Sequence, residues 1–340
     1  NNVINGYVQS LYNIPYLDFT ADWWYGGMIE DYRIGTEAYY AAGDATIQNP
    51  QVTLFNKGIA AEYKLPDLYT TVTDGKWTLD YFEKLVRQVS VDLNGDSKIT
   101  AEDKVGYAGD ITEVLNAVLF ACGETCSKIE DDGISLTFRS EKTFDIFERV
   151  FDLFNDTTVT QAYFRAKGSG QNFTDGRALF TWSQLWYITP MRDSDVDFGI
   201  LPMPKYDEKQ ENYLSYAWNN FVCVPVTVAG DRMNTVGAAL ELFAYKSRDT
   251  VLDAFNDVLI RGKSVRDEES LAMLDIVYDG IVYDAGTNYL GFSANFSKIF
   301  YCFKQLVEKK DNAIASFYES YAAGAQTELD NLYDAVTARQ

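Results

Sequence analysis

The sequence contains no histidine. That removes Ser-His-Asp and Cys-His nucleophilic catalysis, His-ligated zinc and the usual general base near neutral pH. Long apolar runs are missing too; none approaches the ~18–20 residues of a membrane-spanning helix. Basic residues are few: 29 against 50 acidic ones, a net charge of −21. A chain of that sign does not suit nucleic acid or an anionic membrane surface. Cysteine is sparse, with Cys122, Cys126, Cys223 and Cys302. Only the first two lie close together, so a four-cysteine zinc site has no second pair. Their CGETC spacing can close a small disulfide where the segment is not regular helix. Cys223 (FVCVPV) and Cys302 (IFYCFKQL) sit in apolar runs and read as buried thiols. Low-complexity tracts, internal repeats and a glycine-rich linker are likewise absent.

What remains is a folded chain. Its 340 residues, 47% apolar and 15% aromatic, suffice for a large core and two lobes. The start at NNVINGYVQS carries no signal peptide and is expected of a processed or truncated chain. Apolar residues recur at helical spacing after Thr78 (LDYFEKLVRQV), after Ser140 (EKTFDIFERVFDLF), and in RMNTVGAALELFAYKS, ESLAMLDIVYDG, SKIFYCFKQLVEKK and NAIASFYESYAAGAQTELDNLYDAV. Thr78 and Ser140 stand where helix caps belong. Short apolar runs bounded by turn residues predict strands at 52–56, 178–182, 197–204 and 221–228. Strands alternating with helices predict an α/β fold with mainly parallel sheets.

Residues 92–103, DLNGDSKITAED, place oxygen-bearing side chains at loop positions 1, 3, 5, 9 and 12: Asp92, Asn94, Asp96, Thr100 and Asp103. Lys98 at position 7 would offer its backbone carbonyl. Hard cations take six to eight oxygens on a tightly curled backbone, which predicts a structural Ca2+ site. Ser97 replaces the usual turn glycine, and Asp103 is shorter than a bidentate Glu. The expected Kd is therefore weak, near ~10⁻⁴–10⁻³ M. The competing reading is an acidic surface turn. A calcium-dependent adhesion module would want tandem loops, and this chain has one such motif.

Several segments, in order, resemble the extracellular solute-binding proteins, family 1, of bacterial ABC importers. They are VTLFNKGIAAEYKLPDLYTTVTDGKWTLDYFEKLV (52–86), DLNGDSKITAEDKVGYAGD (92–110), DGRALFTWSQLWY (175–187), DVDFGILPMPKYDEKQENYLSYAWNNFVCVPV (195–226) and RDEESLAMLDIVYDGIVYDAG (266–286). The resemblance implies a two-lobed periplasmic-binding-protein-like fold of type II, its interleaved lobes joined by hinge strands. Residues 1–53 plus 226–285 would form one lobe, and 54–225 plus 286–340 the other. Family members carry several βα units before the segment similar to DFTADWWYGGMIEDYRIGTEAYYAAGD (18–44), so the start of the first lobe is expected to be missing. Also implied are a carbohydrate or other small solute, delivery to ABC permease transmembrane subunits, a monomer, a lipoprotein anchor in the full-length protein, and no covalent chemistry.

A sugar offers an apolar ring face and a rim of hydroxyls, so its site wants flat aromatics with carboxylates or amides beside them. Open α/β sheets bind ligands at strand carboxyl ends. That placement selects Trp182 and Trp186 (TWSQLWY), Trp218 and Asn219 (AWNN), Tyr107 and Asp110 (GYAGDIT), Tyr40 and Asp44 (YAAGDAT) and, more weakly, Tyr289 (TNYLGF). Trp23 and Trp24 point in different directions as neighbours, and at least one belongs to the core. A rival reading is a carboxylate-dependent glycoside hydrolase, whose paired acids nothing in the sequence marks.

Overall fold

The computed structural model describes residues 2–96, 99, 100, 102–112, 114–164, 171–218, 220–255 and 267–339. Its centre is a seven-stranded sheet. Strand Asn49–Asn56 is buried throughout. It pairs antiparallel with Ala178–Gln184 along one side, Gln51 opposite Gln184 and Thr53 opposite Trp182. Its other side is shared, by Ser215–Trp218 at its start and by Phe198–Leu201 at its end. Val105–Asp110 and Thr160–Tyr163 continue the sheet in parallel beyond Ala178–Gln184, and Ile281–Val282 closes the far edge in parallel. Six strands thus run one way and Asn49–Asn56 runs against them. The mainly parallel sheet is as expected, and its central strand is buried throughout because both faces are covered.

One face is covered by helices Leu79–Gln88, Leu115–Ala121 and Glu141–Asn155. Phe82, Phe120 and Phe154 from these helices meet Trp182, Tyr216 and Tyr107 from the sheet. Thr78 and Ser140 cap their helices as expected, accepting from Tyr81 N at 3.2 Å and Thr143 N at 2.9 Å. Such caps contribute about 1 kcal/mol each. Val52, Leu54, Ala108, Phe198 and Ile200 form the opposite face, under Leu274 and Val277 of helix Glu268–Asp279. Ser270 Oγ accepts from Ile200 N at 3.0 Å, and Asp267 pairs with Lys57. This helix, grouped by sequence with residues 1–53, therefore lies on the sheet.

Helix Asp231–Ser247 does lie against residues 1–53. A Cβ at Gly237 would fall 1.8 Å from Pro15 O, so only glycine permits that approach. Val8–Gln9 pairs with Val224–Pro225, and Ala41 bridges Val222. The 221–228 run thus yields a two-residue strand and a bridge instead of one long strand. The SKIFYCFKQLVEKK helix breaks at Tyr301 into Phe296–Phe300 and Cys302–Lys309, and Ile314–Thr337 forms one long helix. All four cysteines are free thiols; Cys122, Cys126 and Cys302 are buried and Cys223 is half-buried. Burial pushes the Cys122 thiol up to about 12. The CGETC segment follows the end of helix Leu115–Ala121 and closes no disulfide. No described helix is long and apolar enough to cross a membrane.

Candidate functional site

Because six strands share a direction, their carboxyl ends gather at one end of the sheet, where the antiparallel strand begins at Asn49. Asp110, Gln184 and Trp218 close three of those strands, and Trp186 follows directly. Asn49 organises this rim. Its Nδ2 donates to Gln184 Oε1 at 2.8 Å, and its Oδ1 accepts from Trp186 N at 2.9 Å. One asparagine therefore ties the start of the central strand to its neighbour's exit and sets where Trp186 emerges. Trp186 is 43% exposed and Trp218 half-buried beside Tyr216 and Phe300. Asp110, half-buried, accepts from Thr112 N at 2.8 Å through Oδ1. Gln48, one residue before the rim, donates to Tyr283 Oη, fastening the central strand to the exit of Ile281–Val282. Burial raises the Tyr283 hydroxyl to about 12, so it stays protonated at any working pH.

The sequence candidates divide. Trp186, Trp218 and Asp110 stand on the rim, whereas Trp182 is 2% exposed and Tyr107 fully buried. Trp182 lies stacked on Phe82 at 4.8 Å, with Phe154 at 5.2 Å and Tyr107 at 5.6 Å. Both lie inside the strands, short of the ends, and the helices covering that face enclose them. Asp44 is also buried rather than presented: Arg248 Nε donates to it at 3.0 Å. Burial raises its carboxyl above the usual range, with Arg248 opposing. The pair pins the 40–48 turn to the end of helix Asp231–Ser247. Tyr289 is buried and donates to Tyr32 O at 3.0 Å; half-buried Tyr40 packs on it at 5.1 Å. Tyr289 is core, and Tyr40 packs against it. Asn219 lies outside the described residues. Trp24 is core and Trp23 half-buried, and both indole N–H groups donate to Glu241. Missed by sequence reasoning were Asn49 and Gln184. Their only signal was position: Asn49 lies shortly before the strand expected at 52–56 and Gln184 shortly after the one expected at 178–182.

In the 92–103 loop the first half has the shape a cation loop needs. Asp92 Oδ1 accepts from Gly95 N at 2.7 Å, Asn94 Oδ1 accepts from Asp96 N at 2.9 Å, and Gly95 has φ +74°. Among the described residues of the second half, Asp103 bonds Thr100 and reaches across to Leu93. Asp103 is buried, its Oδ1 accepting from Leu93 N at 2.8 Å and its Oδ2 from Thr100 N at 2.7 Å and Thr100 Oγ1 at 2.9 Å. These donors hold its carboxyl below the usual range. Among the described residues no three carboxylate, thiol or imidazole groups converge on a point where a metal would sit. The donor types fit Ca2+, but both Asp103 oxygens already accept hydrogen bonds from Leu93 and Thr100. Lys98 lies outside the described residues. A separate groove of about 710 Å³ runs beyond the edge strand, between residues 30–35 and 125–131, and holds none of the sequence candidates.

No protein-family model matches the chain, and no curated protein matches it in sequence. Solved structures do. The maltose/maltodextrin-binding domain MalE from Bdellovibrio bacteriovorus, bound to maltotriose, superposes with TM-score 0.66 at 16% identity, over 96% of this chain and 81% of that one. The galacto-N-biose-/lacto-N-biose I-binding protein of the ABC transporter from Bifidobacterium longum, in complex with lacto-N-biose, gives 0.64 at 13%, over 97% and 79%. UgpB from Mycobacterium tuberculosis, in complex with glycerophosphocholine, gives 0.60 at 12%, over 97% and 80%. The chain therefore has the two-lobed fold of maltose-binding-protein-like solute-binding proteins.

Proposed function

We propose that this protein is the solute-binding component of an ABC importer, holding a carbohydrate in a cleft and delivering it to the permease transmembrane subunits. The observation that carries this reading is the rim: Trp186, Trp218, Gln184 and Asp110 at or just past strand carboxyl ends, beside the amide of Asn49 at the start of the antiparallel strand. Flat aromatics flanked by planar hydrogen-bonding groups match a sugar's apolar face and hydroxyl edge. The fold supports it, since two similar structures are bound to maltotriose and lacto-N-biose. In this reading the cleft lies between the sheet-bearing lobe and residues 2–48 with helix Asp231–Ser247. Closure about the Asn49–Asn56 strand presents the liganded form to the permease. The protein works as an extracellular monomer, anchored as a lipoprotein, and catalyses no reaction. Calcium belongs to the reading as a weak structural ligand of Asp92, Asn94 and Asp96.

A thermal-shift panel of mono- and oligosaccharides tests the reading. A sugar at 100 times its Kd adds about 2.7 kcal/mol. One sugar class should raise the melting temperature and be recovered unchanged. Turnover of the sugar would transfer the site to a glycoside hydrolase. Silence across the panel, with a shift from glycerophosphocholine, would favour a non-sugar solute, as the similarity to UgpB allows.

A further inference from the structure

On the helix-covered side of the sheet, Gln51, Trp182 and Trp218 of the strands and Asn116 of the covering helix Leu115–Ala121 hold six buried polar atoms without hydrogen-bond partners among the described residues. They are both amide atoms of Gln51, both amide atoms of Asn116, and the indole Nε1 of Trp182 and of Trp218; Tyr107 Oη on the same face is a seventh. Gln51 is 0%, Asn116 2% and Trp182 2% exposed. Pairing register puts the sheet members together. Gln51 lies opposite Gln184, two residues past Trp182 on that strand, and two residues beyond Asn49, which faces Trp218. Such diagonal neighbours stand about 7–8 Å apart, within reach of long side chains. Asn116 belongs with them. It lies one helical turn before Phe120 on the same helix face, and Phe120 stacks on Tyr216 at 4.7 Å, two residues before Trp218.

An unsatisfied buried amide costs roughly 1–3 kcal/mol, and native interiors leave few of them. Several such groups on one sheet face describe a lined space. We infer that Gln51, Asn116, Trp182 and Trp218 enclose a chamber beneath the rim that binds hydroxyl groups. The lining explains the choice of ligand. Two carboxamides supply acceptors and donors, two indoles supply donors alone, and none carries charge. A hydroxyl, which donates once and accepts twice, satisfies such a set; a phosphate, carboxylate or ammonium would lack a counter-charge. Two sources of hydroxyl fit, ordered water and the hydroxyl of a solute reaching down from the rim past half-buried Trp218. The second source rests on the function proposed above; the first does not.

Gln51→Leu and Asn116→Leu keep side-chain bulk and remove the amides. Each is expected to lower the melting temperature by about 2 °C or more without sugar, because hydroxyl bonds are lost. If a solute hydroxyl enters, each variant also weakens binding of the sugar found for the parent roughly fivefold or more. Melting at or above the parent temperature would overturn the chamber, since removing a dry orphan amide relieves a cost. A crystal structure of the unaltered protein gives an independent reading: ordered oxygens within hydrogen-bond distance of Gln51 and Asn116 support the chamber, and an empty space refutes it. Should no sugar bind the parent while both variants still melt lower, the chamber stands with water as its ligand and the carbohydrate function falls.

Discussion

Asp284 is 1% exposed and sits directly after the edge strand Ile281–Val282. Its Oδ2 accepts from Cys126 N and Ser127 N, both at 2.8 Å; its Oδ1 accepts from Thr287 N at 2.8 Å and Ser127 Oγ at 2.9 Å. Ser127 Oγ accepts in turn from Gly286 N, so its hydrogen is committed to Asp284. Every neighbour is a donor, and only a carboxylate with two accepting oxygens satisfies them all. Asp284→Asn keeps the shape but turns one oxygen into an NH2 group. Whichever way the amide faces, at least one buried backbone N–H is orphaned, at about 1–3 kcal/mol. The surviving bonds also lose their charge assistance, while relief of burying a charge offsets part of the loss. A net destabilisation of about 2–4 kcal/mol follows. Unfolding entropy of roughly 2.1 cal/mol/K per residue over 340 residues gives about 0.7 kcal/mol/K. Calorimetry should therefore show the melting temperature falling by about 3–6 °C. Burial raises the Asp284 carboxyl above its unfolded value despite these donors. A raised group contributes fully below the unfolded value and loses that contribution as pH climbs through the folded one. A melting temperature within about 1 °C of the parent at every pH would refute the accounting.

Asn49→Ala frees both Gln184 and the Trp186 backbone. Sugar affinity measured by titration calorimetry should fall roughly fivefold, and an unchanged Kd would remove Asn49 from the site. Glu328 accepts from Ser293 Oγ, Asn295 N and Phe296 N, docking helix Ile314–Thr337. Burial alone would raise its carboxyl, yet these donors outweigh it and hold the group below its usual value. That stabilisation is present above the unfolded value of about 4.3 and lost as pH drops through the folded one. Glu328→Gln should melt lower than the parent at neutral pH and converge with it in acid; a constant gap would contradict the assignment. Asp103→Ala should lower the melting temperature equally in calcium and in chelator, because Asp103 closes the 92–103 loop through backbone hydrogen bonds. Asp96→Ala should do so in calcium alone, with ligand affinity unchanged. Calcium-dependent loss in both variants would show Asp103 turning inward to the metal.

Much of this protein was legible without coordinates wherever a property is local. Helices Leu79–Gln88 and Glu141–Asn155 follow from apolar spacing and a capping hydroxyl, each decided within one or two turns of chain. Apolar runs between turn residues marked strands at 52–56, 178–182 and 197–204, and the strands observed are Asn49–Asn56, Ala178–Gln184 and Phe198–Leu201. Short elements such as Thr160–Tyr163 and the Ser127–Glu130 hairpin partner carry too few residues to register. The rule of strand carboxyl ends reached the rim, but could not tell Trp186 from Trp182. Four residues separate them, and which one emerges depends on where the strand stops and which helices cover its face. Tertiary structure alone made Asp44 a buried partner of Arg248, 204 positions away, and gathered Gln51, Trp182 and Trp218 onto one sheet face. Local pattern carries information over a turn or a strand. Burial and pairing between distant segments are set by how the elements pack, and there the site was decided.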